Sequence, residues 1–175
     1  MSIDPRTRIG HVHLTVSDLD RALRFYRDAL GFQVTARHGP DAVFLSAGGY
    51  HHHIGLNTWA GRGASRPPAG TTGLYHFAIL FADRAALAAA VRRVMENGVA
   101  LEGASDHGVS EAVYLRDPDG NGVELYRDRP ETEWPRGPDG TIRMHRGLSI
   151  WTLSSPRPKG ADCRLLAAAE PAARS

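Results

Sequence analysis

Apolar and polar residues alternate through residues 9–16: Val12, Leu14 and Val16 fall on one face, His11, His13 and Thr15 on the other. That period of two predicts a strand with one face packed and the other free to bind. After Asp18 the period changes. Leu19, Leu23, Tyr26 and Leu30 recur at helical spacing, Asp18 stands as the N-cap, and Gly31 supplies a left-handed stop. Short strands are expected at 32–37, 43–47 and 51–58. The plan then runs again: a strand at 74–82, an alanine-rich helix capped by Asp83 and carried by Leu87, Val91, Val94 and Met95, a stop at Gly98, and strands near 100–102, 111–116 and 123–127.

The two runs are in register, since His11 precedes Asp18 by seven positions and His76 precedes Asp83 by seven. The expected fold class is α+β, with two paired βαβββ modules forming a curved mixed sheet around a cleft. The first module takes residues 1–59, a Gly/Pro/Ser-rich linker 60–72, the second module 73–128, and a tail 129–175. Pro135, Pro138, Pro156 and Pro158 break up that tail, while Trp134, Ile150 and Trp151 predict that part of it docks on the body or on a partner subunit. Residues 167–175 are expected to be disordered.

Composition narrows the classes of function. The chain has 175 residues, 42% of them hydrophobic, which suits one domain or two small modules sharing a core. A formal net charge of +2, spread over both signs without a basic block, gives no nucleic-acid interface. No apolar run reaches spanning length, so no membrane role is expected. Cys163 alone forms no internal disulfide, and with no export signal at the amino terminus the expected location is cytoplasmic.

The register of His11 and His76 gives the chain its chemistry. Strands related by an approximate twofold would bring both imidazoles into one metal-binding cleft. Glu124 follows the turn Asp117-Pro118-Asp119-Gly120-Asn121-Gly122, which fixes where its strand begins. Two imidazoles and one carboxylate suit Fe(II) while leaving coordination positions open, and Mn(II), Ni(II), Co(II) and Zn(II) accept the same donors. His51, His52 and His53 form a second cluster beside apolar Ile54 and Leu56. Alternation sets His51, His53, Gly55 and Asn57 on one face and His52, Ile54 and Leu56 on the other, favouring His53 as the cleft residue. Tyr114, on a strand, and His107, in a loop, are further candidates; a buried ring and an exposed loop residue are the plainer roles for each.

These residues carry a resemblance. The phrase from His11 to Leu19, followed by Phe25-Tyr26 and Leu30-Gly31-Phe32, resembles the vicinal oxygen chelate superfamily of glyoxalases, bleomycin-resistance proteins and extradiol dioxygenases, over about residues 9–128. The spacing His107, Val113-Tyr114, Asp117-Pro118, Gly120, Glu124 is similar to the extradiol-dioxygenase signature. The segments 48–57, 73–79, 120–126 and 128–135 resemble catechol-2,3-dioxygenase-like proteins. The resemblance implies that His11, His76 and Glu124 bind the metal, that Tyr114 hydrogen-bonds a substrate oxygen, and that a histidine of the 51–53 run is the acid/base. Matching Ile54-Gly55-Leu56 to the family's strand puts that role on His52, and a bulge after Tyr50 would reconcile it with the alternation that favours His53.

The implied activity is Fe(II)-dependent extradiol cleavage of a catechol-like substrate by dioxygen, with Tyr114 and His107 steadying the oxygens, in a homodimer. Two other activities use the same fold: a glyoxalase- or thiol-transferase-type metalloenzyme, and a metal-free drug-binding resistance protein. The first usually takes a second carboxylate from the first-half strand, where this chain has His51, His52 and His53.

Overall fold

Asp18 and Asp83 are both N-caps, accepting hydrogen bonds from the backbone of Arg21 at 2.9 Å and of Ala86 at 2.8 Å. These caps fix where two similar units turn from strand to helix. A computed structural model describes residues 2–145 and 147–148. The first unit comprises β1 (Val12–Thr15), α1 (Leu19–Leu23), β2 (Gln33–His38), β3 (Ala42–Ser46) and β4 (Ile54–Asn57). The second comprises β5 (His76–Leu80), α2 (Arg84–Glu96), β6 (Leu101–Asp106), β7 (Ser110–Arg116) and β8 (Gly122–Asp128). A final short strand, β9 (Gly147–Leu148), adds to the edge of β6.

Each unit builds its own mixed sheet, in the order β1-β4-β3-β2 and β5-β8-β7-β6-β9. The first strand pairs in parallel with the last of its unit, β1 with β4 and β5 with β8, and the other pairs are antiparallel. The paired βαβββ architecture expected from the sequence is therefore present. Beyond β6, which runs on to Asp106 where 100–102 was expected, and β9, which was not expected, two differences fall in the first unit. The helix after Asp18 is regular only through Leu23 and continues as a wider turn over Arg24–Ala29, in which the Leu30 amide donates to the Phe25 carbonyl five residues back. The strand expected at 51–58 is only Ile54–Asn57, because residues 51–53 form a bend whose His51 carbonyl accepts from Thr35 Oγ1 at 2.7 Å.

One core serves both units. Leu14, Val16, Leu23, Tyr26 and Leu56 of the first pack in the same cluster as Leu87, Val91, Val94, Val123 and Leu125 of the second. The helical layers meet across it. Arg93 of α2 donates to the carbonyls of Ala29 and Leu30, and Tyr26 donates to Asp117 Oδ2 at 2.8 Å. The helix-covered faces of both sheets thus point inward, and the histidine-bearing faces point outward. Of the tail, the His145 amide donates to the His107 carbonyl of the second unit at 3.0 Å, while Trp134 Nε1 donates within the tail to the Arg129 carbonyl. Ile150, Trp151 and residues 167–175 lie outside the described residues.

Candidate metal centre

Ladder register decides which side chains share the outer face of the second sheet. Ala78 pairs with Glu124 and Glu124 with Tyr114, while His76 pairs with Gly122 one step along. Because alternate residues share a face, His76, Glu124 and Tyr114 stand together on the open side. His76 Nε2 lies 2.9 Å from Glu124 Oε2. Tyr114 Oη lies 3.3 Å from the other carboxylate oxygen and 2.7 Å from His107 Nε2. These four residues line a cavity of about 750 Å³, with Met144 of the tail at its rim. Glu124 is buried, and the other three are half-buried.

The chain His76–Glu124–Tyr114–His107 has a definite proton logic. His107 Nδ1 faces the His145 carbonyl at 2.9 Å, which only accepts, so Nδ1 carries a proton. With a neutral ring, Nε2 is then an acceptor and takes the single Tyr114 proton at the shorter distance. With a charged ring, Nε2 donates and the Tyr114 proton turns to Glu124. Burial, and after it the neighbouring Glu124 carboxylate, push the Tyr114 phenol up to about 12, so it remains a donor through the neutral range.

The first sheet gathers a different group. The His11 ring lies 4.5 Å from that of His52, and His51 Nδ1 lies 2.7 Å from His52 Nδ1. Burial, reinforced by the neighbouring histidines, lowers the pKa of His52 and favours its neutral form. His53 turns elsewhere: its Nδ1 lies 3.0 Å from Ser46 Oγ, and its ring packs near Tyr50. The acid/base candidate from family alignment, His52, is therefore the one beside His11, whereas alternation pointed to His53. Alternation presumes an extended chain, and residues 51–53 bend.

His11 and the His76–Glu124 pair do not meet in this chain. Their sheets turn their histidine-bearing faces away from each other, and among the described residues no three His, Cys, Asp or Glu side chains form a group able to hold a metal. The expectation that one cleft collects His11, His76 and Glu124 holds here for His76 and Glu124 only. Two supporting residues carried no signal in sequence. A Cβ on Gly55 would lie 2.9 Å from the His13 ring, and one on Gly122 would lie 2.2 Å from the Tyr75 carbonyl. Gly55 occupies the place in the first ladder that Glu124 occupies in the second, since His13 pairs with Gly55 as Ala78 pairs with Glu124. At that duplicated position the first sheet therefore has no carboxylate where the second has Glu124.

Fold and site together define a protein of paired βαβββ units with imidazole and carboxylate donors on the open sheet faces. The chain belongs to the Glyoxalase/Bleomycin resistance protein/Dioxygenase superfamily, whose model matches residues 8–125. It is 44% identical over 143 residues to catechol-2,3-dioxygenase of Bacillus subtilis (strain 168), covering 82% of this chain and 49% of that protein. It is 32% identical to biphenyl-2,3-diol 1,2-dioxygenase 3 of Rhodococcus globerulus, covering 73% of this chain and 66% of the relative. The chain thus spans about half to two thirds of the length of these relatives. A solved lactoylglutathione lyase from Agrobacterium tumefaciens is 27% identical, with a TM-score of 0.55 over 71% of this chain and 96% of that one.

Proposed function

We propose that this protein is a metal-dependent extradiol dioxygenase, acting through Fe(II) on a catechol-like substrate. The observation that carries it is the contiguous set His76, Glu124, Tyr114 and His107 at one end of a cavity large enough for an aromatic diol. A carboxylate oxygen and an imidazole nitrogen converge at 2.9 Å and are donors that suit the metal, while His11, the third donor expected from the sequence, stands apart from them beside His52. Fe(II) held there would supply Lewis acidity and redox access to dioxygen. Tyr114 donates its phenolic proton to a substrate oxygen, and His107, fixed by the His145 carbonyl, returns or withdraws that proton at Oη.

The relatives named as dioxygenases support this reading at the level of reaction type. The first-half sheet argues against the glyoxalase type. That chemistry usually takes a second carboxylate from the first half, and β4 (Ile54–Asn57) has Gly55 at the equivalent position. The metal-free trap is disfavoured by the convergence of His76 and Glu124, which a purely apolar pocket does not need.

The test is anaerobic loading with Fe(II), addition of a panel of catechols, then air. A yellow ring-fission product is expected, with Glu124→Gln and His76→Ala lowering kcat/KM by more than about 100-fold. Tyr114→Phe is expected to lower kcat by about 10- to 100-fold with little loss of bound iron. No product from the iron-loaded wild type across the panel would sink the proposal.

A further inference from the structure

Strand register lays out the floor of the cavity. Gly122 stands between His76 on β5 and Arg116 on β7; in the next row Glu124 stands between Ala78 and Tyr114, with Gly103 beyond Tyr114 on β6. Residues directly opposite share a face, so Glu124 and Tyr114 are flanked by a methyl group and a hydrogen. A planar ring fits on such a floor with its oxygens at Glu124 and Tyr114. Much space is left over. The cavity's volume of about 750 Å³ lies within the roughly 300–1,000 Å³ of pockets that enclose drug-sized ligands, more than a single diol ring fills.

Charge and polarity along the walls define what fills the rest. Glu102, Glu124 and Asp128 bring carboxylates to the lining, and among the described lining residues Arg116 is the one guanidinium. Arg116 is already engaged, since its Nε donates to Glu102 at 2.7 Å and its Nη1 to the Gly120 carbonyl at 2.8 Å. An anionic substituent there would meet carboxylates without a spare cation, and a buried charge without a partner is unfavourable. Beyond His107 the wall turns apolar, with half-buried Val109 and, at the mouth, Met144. Met144 is 66% exposed, yet its position is fixed from both sides. The Arg143 amide donates to the Pro135 carbonyl at 2.8 Å, and the His145 amide to the His107 carbonyl at 3.0 Å. Gly108 lets this strap lie close: a Cβ there would be 2.9 Å from both the His145 ring and Pro135 Cγ. A thioether side chain held at a cavity mouth with most of its surface bare is a contact for an apolar group of a bound molecule. Residue 144 lies beyond the 8–125 that the family model matches, so membership of the family does not prescribe it.

We infer that Met144 is a specificity-determining residue and that the substrate is a catechol bearing an uncharged apolar substituent, which packs against Met144 and Val109 while the diol oxygens lie at Glu124 and Tyr114. The inference rests on the diol reading proposed above and adds which diol. Carboxylated catechols are excluded by the same walls.

Isothermal titration of the full-length, Fe(II)-loaded protein under anaerobic conditions tests this with three probes: catechol, 4-tert-butylcatechol and 3,4-dihydroxybenzoate. The tert-butyl compound is expected to bind about tenfold or more tighter than catechol, and the carboxylate more weakly than catechol. Met144→Ala and Met144→Gln are each expected to cut the preference for tert-butylcatechol over catechol by about fivefold to tenfold, and Met144→Leu to keep it. Gln retains the length of Met and loses its apolar tip, so a merely structural role would not separate Gln from Leu. Equal affinity for tert-butylcatechol and catechol, a carboxylate that binds as well as catechol, or a preference that survives in Met144→Ala would each overturn the inference. Air is then admitted. The expected binding order and Met144 dependence without a ring-fission product would overturn the dioxygenase reading and leave the apolar contact standing. Product without that order would overturn the inference and leave the dioxygenase reading standing, and binding of none of the three would overturn both.

Discussion

Gly122 is where β8 passes closest to the chain before β5: a Cβ there would lie 2.2 Å from the Tyr75 carbonyl and 2.9 Å from the His76 Cβ. It is paired with His76, two residues before Glu124, so its missing side chain lets the two donors approach. Gly122→Ala is expected to force β5 and β8 apart, costing about 1–3 kcal/mol and weakening Co(II) binding about tenfold or more. Gly103, on β6 of the same sheet with nothing near its Cβ position, is the control: Gly103→Ala is expected to leave affinity unchanged. Isothermal titration and urea unfolding of the two variants check both halves. Gly55 makes a similar allowance for the His13 ring, and the same ladder step that gives the second sheet its carboxylate gives the first sheet room for an imidazole.

At the scale of elements, the turn Asp117–Gly122 joins the units as well as starting β8. Asp117 Oδ1 accepts the amides of Asp119 and Asn121, and Oδ2 accepts Asn121 Nδ2 and the hydroxyl of Tyr26 from the widened turn after α1. Tyr26 is fully buried; that burial, and then Asp117's charge, raise the pKa of its phenol well above 10.0. It is a neutral donor to a buried carboxylate. Tyr26→Phe leaves the ring in place and strips Asp117 of one partner, so a loss of about 1.5–3 kcal/mol is expected in urea unfolding. Because the same carboxylate holds the turn before Glu124, a measurable weakening of Co(II) binding should accompany it. A wild-type unfolding midpoint would show the bond to be idle.

For the whole molecule, pH dependence of stability comes in part from the ion pairs that tie the second sheet to its tail. Arg129 bonds Asp106 and also reaches Glu111, which Arg84 and Arg127 pair as well. The Arg129 hydrogen bond is the main cause holding the Asp106 carboxyl below its usual value of 3.8. Since the folded chain therefore releases this proton at lower pH than the unfolded chain, the pair's contribution is complete above 3.8 and fades as pH falls through the lowered value. Asp106→Asn is expected to lower the urea midpoint at neutral pH, and the gap from wild type should narrow as the pH drops below 3.8. A gap independent of pH would assign the effect to the side-chain amide rather than the charge.

Periodicity, caps and turn chemistry are local, and so they were legible in the sequence: the alternation at 9–16, Asp18 and Asp83 as caps, and the repeated βαβββ order all reappear in the structure. The placing of His76 and Glu124 on one face was legible too, since the turn at 117–122 fixes the phase of β8. The bend at His51–His53 was not, because Thr35 and Ser46, distant in sequence, set its side-chain directions. Nor was the His145 carbonyl behind His107, 38 positions away. By itself the sequence determined the two units and their donor residues, because each depends on neighbours a few positions apart. Only the tertiary structure decided that the helical layers lie between the sheets. That long-range burial turns the His11 face away from the His76–Glu124 face, so their meeting depends on what covers them.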